Sequence, residues 1–266
     1  MTYHTHPPTN KALGQHWLHD DASLDAMVAA AGITPGDTVL EIGPGPGTLT
    51  RKLVAQVAQV IAVEFDQTLA RELPTRVPAT NLTIHQQDIM RFDLNTLPPN
   101  YKLAANIPYY LTSNLLRVLC EAPNHFSQAA LLVQKEVAER VCAGPGDMSV
   151  LSVAVQYYAE ASLGALVPAD LFTPPPKVDS QILRLVYHTT PLFPDVDAKQ
   201  FFRIVKAGFS QRRKTLLNSL GGGLQLGRSD AAHLLETAGI VPTTRAQNLS
   251  LQDWYSLYKA YDVVRM

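Results

Sequence analysis

Thr38-Val39-Leu40-Glu41-Ile42-Gly43-Pro44-Gly45-Pro46-Gly47-Thr48-Leu49-Thr50 decides how the chain is read. Val39, Leu40 and Ile42 form the kind of apolar run that fills a parallel strand buried on both faces. Gly43, Gly45 and Gly47 then let the backbone turn sharply and come close to a ligand. A helical pattern restarts at Leu49. Strand, glycine loop and helix in this order hold the polar end of a nucleotide-like cofactor against a helix N-terminus. The spacing is Gly-x-Gly-x-Gly, not the Gly-x-Gly-x-x-Gly of a dinucleotide site, and Glu41 stands before the first glycine. That points to S-adenosylmethionine and away from a nicotinamide cofactor. Taken alone, the loop also fits a plain tight turn.

The 266 residues leave room for one large domain and a small one. At 46% hydrophobic and 17% charged residues, the composition is that of a soluble globular protein. No apolar run is long enough to span a bilayer, and the N-terminus lacks the layout of a signal peptide. Cys120 and Cys142 have no CxxC spacing, and the histidines show no ligand spacing, so no metal site is expected. These features predict a cytoplasmic protein. Net charge is −1, but it is unevenly spread. Residues 1–190 carry 12 basic against 17 acidic side chains, and residues 191–266 carry 10 against 6. Between Ala198 and Ser229 lie seven basic residues and no acidic one. Such a run is either a solvated helix face or a surface for phosphates, and charge alone does not choose.

Working outward, residues 1–10 read as a loose arm. Leu24, Met27, Val28 and Ala31 share one helical face, capped by Asp20 or Asp21. A second strand, Val60 to Phe65, carries Glu64 about 20 residues beyond the first glycine, where a carboxylate accepts from ribose hydroxyls. Leu69 and Leu73 predict a short helix closed by Pro74. A third strand, Leu82 to His85, is followed by Asp88, placed either to accept from an adenine amino group or to cap a turn. Lys102 to Ala105 is a fourth strand, running into Asn106-Ile107-Pro108-Tyr109-Tyr110. Ala129 to Val133 is a fifth. Leu171 to Val178, with three consecutive prolines, is excluded from helix and central strand. Ile182 to Val186 is a further strand. Beyond residue 190 the pattern is helical, with one helix ended by Gly221-Gly222-Gly223. The expected fold is a doubly wound, Rossmann-like α/β domain over 1–190, arm included, and a small all-helical domain over 191–266.

An S-adenosylmethionine methyl is already activated, so the protein must mainly position a nucleophile in line with it. An adenine exocyclic amine is a poor nucleophile because its lone pair is delocalised into the ring. Two acceptors beside it favour a pyramidal, more nucleophilic nitrogen. Asn106 offers a side-chain oxygen, Pro108 a peptide carbonyl, and Tyr109 a face for stacking. No strong base is needed, because the methylated ammonium is acidic. Phe172, in the proline-rich loop, is the expected second slice of an aromatic sandwich around an extruded base. A strand-ending turn with a core tyrosine, and a loop-anchoring phenylalanine, are the plainer alternatives.

The chain resembles the ribosomal RNA adenine N6,N6-dimethyltransferases of the small subunit, nearly end to end. The resemblance rests on Leu-Gly-Gln-His-Trp-Leu (13–18), Glu-Ile-Gly-Pro-Gly-Pro-Gly-Thr-Leu-Thr (41–50), Val-Glu-Phe-Asp (63–66), Gln-Asp (87–88) and Asn-Ile-Pro-Tyr-Tyr (106–110). Gln-Lys-Glu-Val-Ala-Glu-Arg (134–140), Phe-Thr-Pro-Pro-Pro-Lys-Val-Asp-Ser (172–180) and Phe-Ser-Gln-Arg-Arg-Lys-Thr-Leu (209–216) complete it. It implies a monomer that dimethylates two adjacent adenines in the loop of the 3′-terminal hairpin of small-subunit RNA, late in subunit assembly. It implies that Gln15, His16, Leu18, Gly43, Gly45, Glu64, Asp88 and Asn106 line the cofactor. Asn106, Pro108 and Tyr109 would handle the amine, Phe172 would stack on the base, and Arg212, Arg213 and Lys214 would meet phosphates. The chain departs from the family pattern at His16-Trp17, where Asn-Phe is usual, and in a shortened loop at Pro145 to Ser149. An adenine dimethylase of large-subunit RNA and a non-catalytic assembly factor on the same fold are the competing readings.

Overall fold

The computed structural model of the chain describes residues 7, 9 and 14–265, the side chains of 263–265 excepted. Pro7 and Thr9 aside, the arm expected over 1–10 lies outside the described residues. Strands are β1 (Trp17–Leu18), β2 (Thr38–Ile42), β3 (Gln59–Glu64), β4 (Leu82–Gln86), β5 (Lys102–Asn106), β6 (Gln128–Gln134), β7 (Ala159–Val167), β8 (Phe172–Thr173) and β9 (Ser180–Tyr187). Helices are α1 (Asp21–Ala30), α2 (Thr48–Val54), α3 (Gln67–Arg76), α4 (Thr112–Glu121), α5 (Lys135–Val141), α6 (Val150–Gln156), α7 (Ala198–Phe209), α8 (Leu216–Leu224), α9 (Arg228–Thr237) and α10 (Leu251–Arg265).

Contacts divide the chain into two compact units, residues 1–138 with 160–187 and residues 139–159 with 188–266. The first contains a seven-stranded sheet in the order β4-β3-β2-β5-β6-β9-β7. The β4-β3-β2-β5-β6 run is parallel, and β9 pairs antiparallel with β6. Parallel strands buried on both faces need continuous apolar runs. Val39, Leu40 and all five residues from Ala129 to Val133 are accordingly fully buried. The chain leaves β4 at one edge and re-enters as β5 on the far side of β2. That reversal opens a crevice beyond the carboxyl ends of β2 and β5, where such sheets bind ligands. Helix α1 begins at Asp20, whose carboxylate accepts from the Ser23 amide at 2.8 Å. It buries Leu24, Met27 and Val28, the face expected from their spacing.

A two-stranded piece stands apart from the main sheet: β1 pairs antiparallel with β8, Trp17 opposite Thr173 and Leu18 opposite Phe172. It ties the Gln-His-Trp-Leu segment to the proline-rich loop. Helix α3 runs through Pro74 to Arg76 instead of closing there. The nine-residue β7, Ala-Glu-Ala-Ser-Leu-Gly-Ala-Leu-Val, lies outside the strands expected from sequence.

The second unit is built on α6 to α10. Its core brings Phe201, Val205, Leu216, Leu220, Leu235 and Trp254 together. A single cut at 190 leaves out part of this unit. Met148, Val153 and Tyr157 pack into the same core, and the Gly146 and Met148 amides donate to the Gln247 carbonyl at 2.9 and 3.2 Å. Helix α8 continues through Gly221-Gly222-Gly223 to Leu224 instead of stopping. A Cβ at Gly223 would lie 2.7 Å from Ala207 Cα, so the glycine is what lets α8 and α7 cross with backbones touching. This close crossing offsets the cost of glycine in a helix, roughly 1 kcal/mol relative to alanine.

Candidate active site

The crevice is a cleft of ≈ 250 Å³ lined by the glycine loop, residues 14–18, the ends of β3 and β4, and Asn106 to Leu111. Its floor is the sequence stretch that opens with Thr38. Gly43, Gly45 and Gly47 all take positive φ, at 66°, 56° and 85°. Gly45 is constrained twice over. Its φ disfavours any side chain, and a Cβ there would meet the Trp17 ring at 2.7 Å. Trp17, at a position that departs from the family pattern, therefore packs directly on the loop.

Glu64 ends β3 and is 5% exposed. Its Oε2 accepts from the Gly45 amide at 3.1 Å and its Oε1 from the Asp66 amide at 2.8 Å. Burial raises its pKa, with those two amides pulling the other way. Each carboxylate oxygen retains a lone pair for a further donor. Asp88 also lines the cleft, and it caps the turn after β4, with Oδ1 accepting from the Met90 amide at 2.9 Å. The two readings of Asp88 from sequence are thus compatible, one per oxygen. Gln15, His16, Leu18, Gly43 and Gly45 line the same cleft.

The wall opposite is Asn106 to Tyr110. Asn106 closes β5 and its Nδ2 donates to the His16 carbonyl at 3.2 Å. A peptide carbonyl only accepts, so the amide nitrogen faces it and Oδ1 is the acceptor left over. The Pro108 carbonyl accepts from the Leu111 amide at 3.0 Å and, at the longer distance of 3.5 Å, from Thr112 Oγ1. The half-buried Tyr109 hydroxyl is bonded to Ser180 Oγ at 2.9 Å. Burial raises the tyrosine pKa, so the ring is held neutral. His16 stacks on the same ring, centroids 5.9 Å apart and planes 22° apart, and its Nδ1 lies 2.7 Å from the Pro174 carbonyl.

Sequence reasoning gave no site role to Ser180 or Phe65, and used Glu41 only as a sign of which cofactor the loop takes. Glu41, in β2, is 1% exposed, lines the cleft, and its Oε2 is buried with no hydrogen-bond partner. Burial pushes its carboxyl up to about 8, against a downward pull from Thr50 and with a further rise from Glu64. Ser180, fully buried, anchors Tyr109. Phe65 lies on the rim, 58% exposed. Each was in a quoted motif, but a strand reading hides that Glu41 and Phe65 line the crevice, and the proline-rich motif hides that Ser180 meets Tyr109.

Phe172 corrects the expectation. It is 3% exposed and sits in the core with Leu18, Leu24, Met27 and Val28. A ring so enclosed, and held by the pairing of β8 with β1, anchors the proline-rich loop and offers no face to a base. Arg212, Arg213 and Lys214 lie in the helical unit just past α7, all exposed. Among the described residues no group of three or more His, Cys, Asp or Glu could hold a metal ion, and no helix is long and apolar enough to cross a membrane.

A family model described as ribosomal RNA adenine dimethylase matches residues 8–262. The chain belongs to that family. Members of the ribosomal RNA adenine dimethylase family take their methyls from S-adenosylmethionine, and this chain is an enzyme of that class. It is 41% identical over 255 residues to the ribosomal RNA small subunit methyltransferase A of Dehalococcoides mccartyi strain CBDB1, covering 94% of this chain and 88% of that protein. It is 42% identical over 263 residues to the protein of the same name from Synechococcus sp. strain JA-3-3Ab, covering 94% and 92%. Among solved structures, a dimethyladenosine transferase from Plasmodium falciparum superposes with a TM-score of 0.78 at 26% identity, covering 94% of this chain and 98% of that one. The 23S rRNA methyltransferase ErmE superposes with a TM-score of 0.75 at 27% identity, covering 92% and 99%. The cleft suits this family's methyl donor. The bare glycine floor admits a close approach, and the buried Glu41 oxygen without a partner is open to a polar group of the ligand.

Proposed function

We propose that this chain transfers methyl groups from S-adenosylmethionine to N6 of two adjacent adenines in the loop of the 3′-terminal hairpin of small-subunit ribosomal RNA. It acts as a monomer in the cytoplasm, on a late assembly particle. The observation that carries the chemistry is the Asn106 amide, pinned through Nδ2 with Oδ1 unspent. Gln15, His16, Leu18, Gly43, Gly45, Glu64, Asp88 and Asn106 surround the donor, with Glu64 at the ribose and Asp88 at the adenine. When bound, the donor supplies an activated sulfonium methyl. Asn106 Oδ1 and the Pro108 carbonyl, the latter by displacing its long contact from Thr112 Oγ1, accept from the target amine and draw its lone pair out of the ring. Tyr109, fixed by Ser180, gives the base a face to stack on, worth roughly 1–3 kcal/mol. That role falls to Tyr109 without help from Phe172. The methylated ammonium releases its proton to water, so no side chain acts as a strong base.

Arg212, Arg213 and Lys214 contact RNA phosphates. Lys199, Arg203 and Lys206 extend this face along α7. They recur on one side of the helix, are exposed, and border a groove of ≈ 710 Å³. Among the described residues none of the three is in an ion pair. The deciding experiment is labelled-methyl transfer to unmethylated small subunits, with the modified bases mapped. Label in two adjacent adenines of the small-subunit RNA is the expected result. Label in large-subunit RNA, the substrate class named for ErmE, would overturn it.

A further inference from the structure

The cleft is joined to the proline-rich loop through one side chain. His16 Nδ1 lies 2.7 Å from the Pro174 carbonyl, 158 residues away in sequence. A carbonyl oxygen cannot donate, so this nitrogen carries the hydrogen and the imidazole is fixed in orientation. The same residue's own carbonyl receives Asn106 Nδ2 at 3.2 Å. Its ring lies parallel to Tyr109, within the range of offset stacking. Main chain follows the same path: Trp17 pairs with Thr173 and Leu18 with Phe172, immediately beyond these contacts.

We propose that His16 is a positioning residue that latches residues 14–18 to the proline-rich loop and thereby fixes which end of the Asn106 amide meets the target amine. Without the Nδ1–H bond, the segment bearing the His16 carbonyl is free to shift. The Asn106 amide then loses the contact that tells its two ends apart. An amide turned by half a rotation offers an N–H to the amine where an acceptor is required. The imidazole acts through Asn106, not on the substrate. The proposal rests on Asn106 being the acceptor for the amine.

Three substitutions separate the parts. His16→Phe keeps a ring for Tyr109 and removes the donor. His16→Asn removes the ring and keeps a nitrogen donor the same number of bonds from the backbone as Nδ1. His16→Ala removes both. The measurements are the single-turnover rate of methyl transfer to unmethylated small subunits, S-adenosylmethionine affinity by calorimetry, and hydrogen exchange of peptides spanning 14–18 and 172–176. In His16→Phe and His16→Ala the rate is expected to fall about tenfold, as for one lost hydrogen bond. Cofactor Kd should weaken by less than about threefold, and both peptides should exchange faster. His16→Asn should recover most of the rate and of the protection. A His16→Phe enzyme with full rate would overturn the proposal. So would cofactor affinity lost in step with rate, which would make His16 a cofactor contact only, or exchange unchanged in every variant. Failure of the unaltered protein to methylate small subunits would instead overturn the proposed function.

Discussion

The cleft of the α/β unit and the basic face of the helical unit hold their functional side chains in opposite ways. In the cleft four polar side chains are committed to partners, and Glu41 Oε2 alone among those discussed is not. Glu64 is bound to two amides, Asp88 caps a turn, Asn106 is pinned to a carbonyl and Tyr109 to Ser180. On the face formed by Lys199, Arg203, Lys206 and Arg212 to Lys214, the cations stand exposed. Chemistry on a delocalised amine needs atoms fixed before the substrate arrives. Attraction to a phosphate backbone is long-ranged and tolerates loose side chains. Substitutions in the cleft should therefore be steep and geometric, and substitutions on the face graded and sensitive to salt.

The largest effect is expected at Asn106. Asn106→Ala should lower methyl transfer by at least about 100-fold, the scale of removing one preorganised polar group from a reacting centre. S-adenosylmethionine should still bind measurably in calorimetry, and an active variant would break the contrast at its strongest point. Next is Gly45→Ala. The added methyl meets Trp17 in a backbone conformation that costs roughly 1–2 kcal/mol for other residues. Cofactor affinity should fall about tenfold or more, and adding Trp17→Ala should return part of it. On the face, Arg212→Glu with Arg213→Glu should weaken small-subunit binding and reduce the slope of log affinity against log salt by about 2. An unchanged slope would move the RNA surface elsewhere.

The last prediction concerns stability and not activity, and turns on Glu41, whose carboxyl is pushed up to about 8 by burial. The native state therefore holds a proton that the unfolded chain, near its ordinary value of 4.5, has released. Stability is highest below the unfolded value and declines as pH rises through the window up to about 8. Thermal melts of the cofactor-free protein should show this decline between pH 5 and 8. Glu41→Gln should flatten it, and the same slope in the variant would show that another group titrates.

Much of this contrast is legible in the sequence. Val39 to Ile42 with the three glycines, Glu64, Asp88 and Asn106 to Tyr109 announced a cleft at the strand ends, because buried parallel strands demand apolar runs and their ends carry the polar exceptions. What stayed hidden depends on packing between distant segments. The β7 strand is rich in alanine and glycine, so neither propensity nor alternation marks it. The glycines of α8 read as a stop, since the close contact of Gly223 with Ala207 is made across two helices and leaves no local mark. Phe172 sits in a loop by sequence and in the core by structure, because β1 reaches across to pair with it. Glu41 sits inside a strand pattern that does not reveal which residue faces the crevice, and Ser180 reads as the end of the proline-rich motif, with nothing local to show that it meets Tyr109.

The discontinuity of the two units bears on how the protein is made. The chain passes from one unit to the other after residues 138, 159 and 187. A ribosome delivering it from the N-terminus must release residues 139–159 well before 188–266 exist. Until then Met148, Val153 and Tyr157 lack the Phe201, Leu220 and Trp254 that will enclose them. The sheet, meanwhile, receives its β9 strand only once residue 187 has emerged. Neither unit can finish folding during the first half of synthesis, so a nascent chain stopped near residue 160 should be the form most dependent on chaperones.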